Sequence, residues 1–185
     1  MDPIVEAAMR KWPQVPHCHG WLGLDARGDW YLRDDAVQAA GPFARAKGSR
    51  IEHDGLREFI QRNYAADDHG AWFFQNGPQR VYVELEAAPW VFRLDAVAGH
   101  RTERWRIGSR DGRNATCRNC WTDQQGRLFV DCDIGFGLLH SLDVGIAAQA
   151  VDAGDWRPQA LAFEHMPERF GYVLSPAAAV QAQRA

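Results

Sequence analysis

From Gln79 to Glu86 the chain alternates without a break, with Val81, Val83 and Leu85 on one side and Tyr82, Glu84 and Glu86 on the other. A period of two is the mark of a β-strand, because successive strand side chains point to opposite faces of a sheet. Asn76-Gly77-Pro78 stands just before it as a turn, and the apolar arm AWFFQ stands before the turn. After Ala87-Ala88-Pro89 a further strand, Trp90 to Val97, turns back. This middle segment therefore commits the chain to antiparallel β-structure.

The flanking segments add to the same plan. GWLGLDARGDWYLRD reads as a hairpin around Asp25-Ala26-Arg27-Gly28, with glycine where a left-handed backbone is needed. Arg101 to Gly108 is another strand, Ser109-Arg110-Asp111-Gly112 a turn, and ATCRNCWTDQQGRLFVDCD two more strands. Helices are expected from Asp2-Pro3 to about Lys11, from an Asp54 cap to near Asp67, and from about Ser141 to Ala153. Leu56, Phe59, Ile60 and Asn63 lie along one stripe of the second. Asp35 to Arg50 reads as a loop, and ALAFEHMPERFGYVLSP as one or two short strands. The alanine-rich tail from Pro176 is a final helical turn or a frayed end.

About eight strands against three or four helices make an α+β, predominantly antiparallel β-sheet protein. No low-complexity linker interrupts residues 1–185, so a single globular domain is expected. Leu24–Leu32 (LDARGDWYL) and Thr122–Val130 (TDQQGRLFV) share an Asp-x-x-Gly turn followed by bulky apolar residues. Two β-hairpin–helix units, with halves at about 17–97 and 98–176, would account for this echo. Convergence on a common turn would account for it too.

Composition narrows the function. Apolar residues at 46% and charged residues at 24% are ordinary globular values. A net charge of −3 argues against a nucleic-acid partner, whose binding would rest on a strong positive field. No apolar run approaches the ~20 residues that span a bilayer. MDPIVEAAMRKW lacks the order and apolar stretch of a signal peptide, so the cytoplasm is expected, where cysteines stay thiols.

Three constellations could carry chemistry. Cys117 and Cys120 have the spacing of zinc ligands, with Cys132, Cys18, His17 or His19 available to complete a set. A four-residue loop, Asp123 to Gly126, puts Cys117 opposite Cys132. A three-residue loop with a Gly126 bulge puts Cys132 opposite Arg118 and on the side of Cys120. In either register only one C-x-x-C thiol shares a face with Cys132, so free thiols are expected, with no metal and no cofactor. A thioredoxin-type C-x-x-C opens a helix, whereas Trp121-Thr122-Asp123 leads into a turn. A Cys117–Cys132 disulfide fits the first register but not a reducing compartment.

Asp131, Asp133, His140 and Asp143 form the second constellation, within DCDIGFGLLHSLD. Carboxylates beside a histidine suit acid–base or metal chemistry. The plainer alternative has Asp131 and Asp133 solvating a strand face while Ser141 or Asp143 caps a helix. The third is RTERWRIGSRDGRNATCR, where Arg104 and Arg106 share one strand face and Trp105 and Ile107 the other. Arginine forks suit a carboxylate or phosphate, but Glu103, Asp95 and Asp111 dilute the field and favour a solvated face. No phosphate-binding, nucleophile-elbow, zinc-protease or dinucleotide motif is present.

At WLGLDARGDWYLRD, GSRIEHDGLREFIQRNYAADDHGAWFFQNGPQRVYVELEAAPWVF and CWTDQQGRLFVDCDIGFGLLHSLD, the chain resembles a proteobacterial family of about this length. That family is known only as a domain of unknown function. The middle segment more loosely resembles a second uncharacterised bacterial family. The resemblance implies a self-contained cytoplasmic α+β domain rich in β-structure, and brings no catalytic residue, cofactor or substrate. Two functions follow as expectations. One is a non-catalytic domain binding a small molecule or a protein partner, including a second copy as a homodimer. Asp131, Asp133, His140, Asp143, Arg104 and Arg106 are its candidate contacts. The other is a metal-dependent or acid–base enzyme using Asp131, Asp133 and His140. Neither nucleic acid nor membrane is an expected partner.

Overall fold

A computed structural model describes residues 1–97, 104–109 and 112–184. The described residues fall into two sheets, of six and seven strands, and six α-helices. The chain divides into two compact units. One comprises 1–25, 29–86 and the residues from Gly171 on; the other comprises 26–28 and 87–170.

In the first unit, β1 (Cys18–Leu24), β2 (Trp30–Leu32), β3 (Ser49–Arg50), β4 (Tyr64–Ala66), β5 (Trp72–Asn76) and β6 (Gln79–Leu85) lie in the order β3-β2-β1-β6-β5-β4. β1 and β6 run parallel, and the other neighbours are antiparallel. The alternating segment thus lies at the centre of its sheet, and both of its faces are covered: Val83 and Leu85 are buried, and so are Tyr82 and Glu84. Glu84 is tied down by the C-terminal segment, where Ser175 Oγ (2.5 Å) and the Ala177 N–H (3.1 Å) donate to its carboxylate. Those bonds hold the start of a nine-residue helix, Pro176–Arg184, so the tail is ordered well beyond a single turn.

Three further helices belong to this unit. α1 (Pro3–Lys11) begins at proline, as expected, but the Asp2 side chain does not cap it. Asp2 instead donates its N–H to Asn63 Oδ1 at 2.8 Å. The 35–50 segment is more than a loop: it contains α2 (Asp35–Ala40), capped by Asp34, whose Oδ1 accepts the Val37 N–H at 2.8 Å. Buried Arg33 anchors that region by donating to the carbonyls of Gly20, Gly41 and Ala46. α3 (Asp54–Arg62) is capped by His53 rather than Asp54, through Nδ1 and the Leu56 N–H at 3.1 Å. It ends before Asp67, because Tyr64–Ala66 already pairs as β4.

In the second unit, β7 (Trp90–Ala96), β8 (Trp105–Ser109), β9 (Asn114–Ala115), β10 (Cys117–Thr122), β11 (Leu128–Cys132), β12 (Gly135–Leu139) and β13 (Gln159–Ala160) lie in the order β13-β10-β11-β12-β7-β8-β9. β12–β7 and β10–β13 are parallel. α4 (Val144–Asp152) follows a 3-10 turn at Ser141–Asp143, close to the expected span. The stretch expected to give late strands gives only β13, then a 3-10 turn and α5 (Met166–Phe170). Aromatic packing explains the helix, since the Phe170 ring stacks on Phe136 at 3.8 Å and meets Trp121 edge-on at 4.7 Å. Counting the tail from Pro176 as α6, six helices replace the expected three or four. The expected strand start at 101–103 and the turn residues 110–111 lie outside the described residues.

The two Asp-x-x-Gly hairpins match position for position. Leu22, Gly23 and Leu24 pair with Leu32, Tyr31 and Trp30; Cys120, Trp121 and Thr122 pair with Val130, Phe129 and Leu128. In the turns, the Asp25 N–H donates to Asp29 O and the Asp123 N–H to Arg127 O. Each aspartate Oδ1 accepts the N–H four residues on, at 2.9 and 2.8 Å. Gly28 (φ +76°) and Gly126 (φ +74°) supply the left-handed residue. Near the turn the register is that of the three-residue loop with a Gly126 bulge, since the Asp123 N–H bonds to Arg127 O and Cys120 stands opposite Val130; farther out, Cys117 stands opposite Cys132 as the four-residue loop would place it.

Candidate functional site

The thiols show how one backbone irregularity changes a site. Cys117 stands opposite Cys132, but the next pair is Asn119 with Asp131, so a β-bulge falls between them. A bulge adds one residue to one strand and so reverses its parity. Cys120 then stands opposite Val130, on the Cys132 side, and all three thiols share one face. That overturns the parity expectation for Cys117, Cys120 and Cys132. The chemistry remains that of protonated thiols. Burial pushes Cys117 up to about 12 and raises Cys132 and Cys120 as well, which disfavours the thiolate that metals and disulfide exchange require. Among the described residues no group of three His, Cys, Asp or Glu side chains could hold a metal ion.

The carboxylate–histidine constellation is built into the fold by local bonds. Asp143 is buried and accepts from Arg93 Nε (2.6 Å), Arg93 Nη2 (2.9 Å) and the Leu94 N–H (3.0 Å). The Arg93 bonds outweigh desolvation and hold its carboxyl below the usual range. His140, also buried, caps the 3-10 turn by accepting the Leu142 N–H on Nδ1 at 3.1 Å. Asp133 is exposed and accepts the Thr116 N–H at 2.8 Å, fastening the end of β11 to the start of β10. Asp131, half-buried on β11, stands opposite Asn119 and Phe136.

Arg104 and Arg106 meet at a cavity. It encloses about 360 Å³ against β8 and β9, and its walls include Trp105, Asn114, Thr116, Cys117 and Trp156. The two arginines are not equivalent. Arg104 Nη2 is held by the Asp155 carboxylate at 2.8 and 2.9 Å, and Trp105 Nε1 donates to the same carboxylate at 2.7 Å. Arg106 is exposed and paired in register with Asp95 on β7, yet among the described residues no carboxylate forms an ion pair with it. Sequence patterning had already placed Arg104 and Arg106 on one strand face. It missed Trp156, Asn114 and Thr116, which reach the cavity only because β9 pairs with β8 and the chain returns past α4. The chain's eight tryptophans are the one signal the sequence offers, and their number does not say which of them lines a cavity.

The comparisons place the chain without assigning it an activity. The family model DUF2944, described as "Protein of unknown function (DUF2946)", matches residues 1–181. A search of curated proteins returns no match. Among solved structures, a DUF1285 family protein from Silicibacter pomeroyi DSS-3 is similar with a TM-score of 0.53 and 11% identity, over 80% of this chain and 84% of that one. A second DUF1285 family protein, from Shewanella baltica OS155, gives a TM-score of 0.44 and 14% identity over 70% and 91%. At such identity the Silicibacter likeness concerns the fold alone. Among the described residues no helix is long and apolar enough to cross a membrane. The chain belongs to this family of proteins of unknown function.

Proposed function

We propose that the protein is a non-catalytic ligand-binding domain whose cavity against β8 and β9 takes a small planar carboxylate. The observation that carries this is Arg106, a guanidinium on a tryptophan-walled cavity with no ion-pair partner among the described residues, beside an Arg104 already neutralised by Asp155. A guanidinium fork matches a carboxylate in two parallel hydrogen bonds. Tryptophan walls favour a flat body, and Asn114 and Thr116 add hydrogen-bonding capacity at the edge. A volume near 360 Å³ is at the small end of ligand pockets and suits a single ring.

Calorimetric titration with benzoate tests this, with inorganic phosphate as the control for charge alone. Benzoate is expected to bind the wild type, and Arg106→Gln to weaken it about tenfold, the loss of roughly one charge-assisted contact. No benzoate binding, or unchanged binding in Arg106→Gln, rejects the reading. In this view nucleic acid is not a partner, the compartment is the cytoplasm, and a homodimer would leave the site within one chain.

The matched hairpins support a further element of the proposal, a duplicated hairpin–helix unit within one domain. Convergence on an Asp-x-x-Gly turn would account for equal turns. It would not account for the parallel partner each first strand acquires, with Leu24 paired to Leu85 and Thr122 to Ala160. Nor would it account for the histidine that follows the third strand of each set and caps the helical segment after it, His53 after β3 and His140 after β12.

A further inference from the structure

The first unit holds a cavity of its own, of about 350 Å³, lined by Trp12, Pro13, His17, Gln75, Pro78 and Arg80 among others. Its volume is close to that of the β8–β9 cavity, so size does not distinguish it and chemistry must. Gln75 is 1% exposed. Its Nε2 donates to Gly77 O at 2.8 Å, while its Oε1 is buried with no hydrogen-bond partner. Buried side-chain oxygens are nearly always satisfied, so one without a partner, on a residue that lines a cavity, asks for a donor from outside.

Arg80 supplies the complementary group. Gln75 and Arg80 are paired in register across the β5–β6 hairpin, so the two side chains stand side by side on one face, with Cβ atoms about 5 Å apart. The Arg80 guanidinium lies over the Phe73 ring at 4.4 Å and the Lys11 ammonium over the Trp12 ring at 4.5 Å, and no carboxylate lines the cavity. An anion and an N–H donor are therefore wanted a few ångströms apart, next to an indole and two prolines. An α-amino acid or its N-acyl derivative carries its carboxylate and its N–H on the same carbon, at that spacing.

We propose that this cavity binds an N-acylated or free aromatic α-amino acid, with its carboxylate on Arg80, its N–H donated to Gln75 Oε1 and its ring against Trp12 and the prolines. The site is independent of the β8–β9 cavity. Calorimetry on the full chain tests it with three probes: N-acetyl-L-phenylalanine, free L-phenylalanine and 3-phenylpropionate, which keeps ring and carboxylate but lacks the N–H. One of the two amino-acid probes is expected to bind at least about tenfold more tightly than 3-phenylpropionate, because a site that offers an unpaired acceptor discriminates against a ligand with no donor. Gln75→Leu should abolish that preference while leaving 3-phenylpropionate binding in place. Arg80→Gln, a change at a half-buried position that leaves the β5–β6 backbone pairing intact, should weaken all three probes about tenfold or more. Arg106→Gln should change none of them. Failure of both amino-acid probes to bind the wild type overturns the proposal. So does equal affinity with and without the N–H group, or undiminished binding in Arg80→Gln.

Discussion

Asp143 shows how a residue that looks functional in sequence is occupied by structure. Its two oxygens take three donors, and one of those, the Leu94 N–H, is buried on β7. Asp143→Ala strands that N–H and removes the partner of Arg93, and should cost about 2 kcal/mol, read from urea unfolding. Arg93→Ala should also destabilise, because it leaves the buried Asp143 carboxylate with the Leu94 N–H in place of three donors. The pH dependence has a definite sign. Because the folded carboxyl titrates below its usual range, the stabilisation is fully present above the ordinary aspartate pKa and is lost as pH falls through the lowered folded value. Asp143→Asn should therefore narrow its stability gap to the wild type on acidification. Residue identities made Asp143 a candidate. The arginine fifty positions earlier, which decides its role, has no signature in the local sequence.

At the scale of elements, the hairpin turns carry the clearest information. Asp123 accepts the Gln125 and Arg127 N–H groups on Oδ1 and Arg127 Nε on Oδ2, and Asp25 takes the Asp29 N–H together with Lys47 Nζ. Asp123→Ala should thus destabilise by about 1–3 kcal/mol in thermal or urea unfolding, and Asp123→Asn by less, since the amide oxygen still accepts the turn N–H groups. An effect under about 0.5 kcal/mol would mean that the turn is held by its glycine and backbone bonds alone. These turns were legible because their geometry is local: an aspartate bonding to its own backbone, and a glycine at positive φ. The bulge at Cys117 was not legible. Strand parity is a local rule, but where a strand takes up an extra residue depends on its partner, and that reversal moved Cys117 to the Cys120 and Cys132 side. Short α2 and α5 escaped for a similar reason. Helices of six and five residues are too short for propensity to stabilise alone, so caps and packing decide them.

For the whole molecule, the C-terminal segment is the strongest test. Its residues belong to the first unit although they follow the second along the chain. The Leu85 N–H donates to Leu174 O, Gly70 is bridged by the Val173 N–H, and Glu84 depends on Ser175 and Ala177. Removing the residues after Tyr172 should lower the melting temperature by several degrees, because it leaves a buried carboxylate without its donors. Combining the truncation with Glu84→Gln should recover part of the loss, since burial already raises the Glu84 carboxyl and an uncharged amide is cheaper to desolvate. No loss on truncation would show the tail to be an accessory.

What the sequence determined by itself is what depends on near neighbours: strands of period two, glycine turns, proline-started α1, a helix after His140, and an α+β protein without a transmembrane helix. What only the tertiary structure decided is which of those pieces meet. The central position of β6 covered both faces of an alternating strand, the bulge in β10 gathered three thiols, and the pairing of β9 with β8, with the chain's return past α4, made a cavity of Arg104, Arg106 and Trp156. The physical reason is that each of these depends on contacts between residues far apart in the chain. Their free energy is realised only when sheets close and helices pack, and a single sequence read along its length contains no term for it.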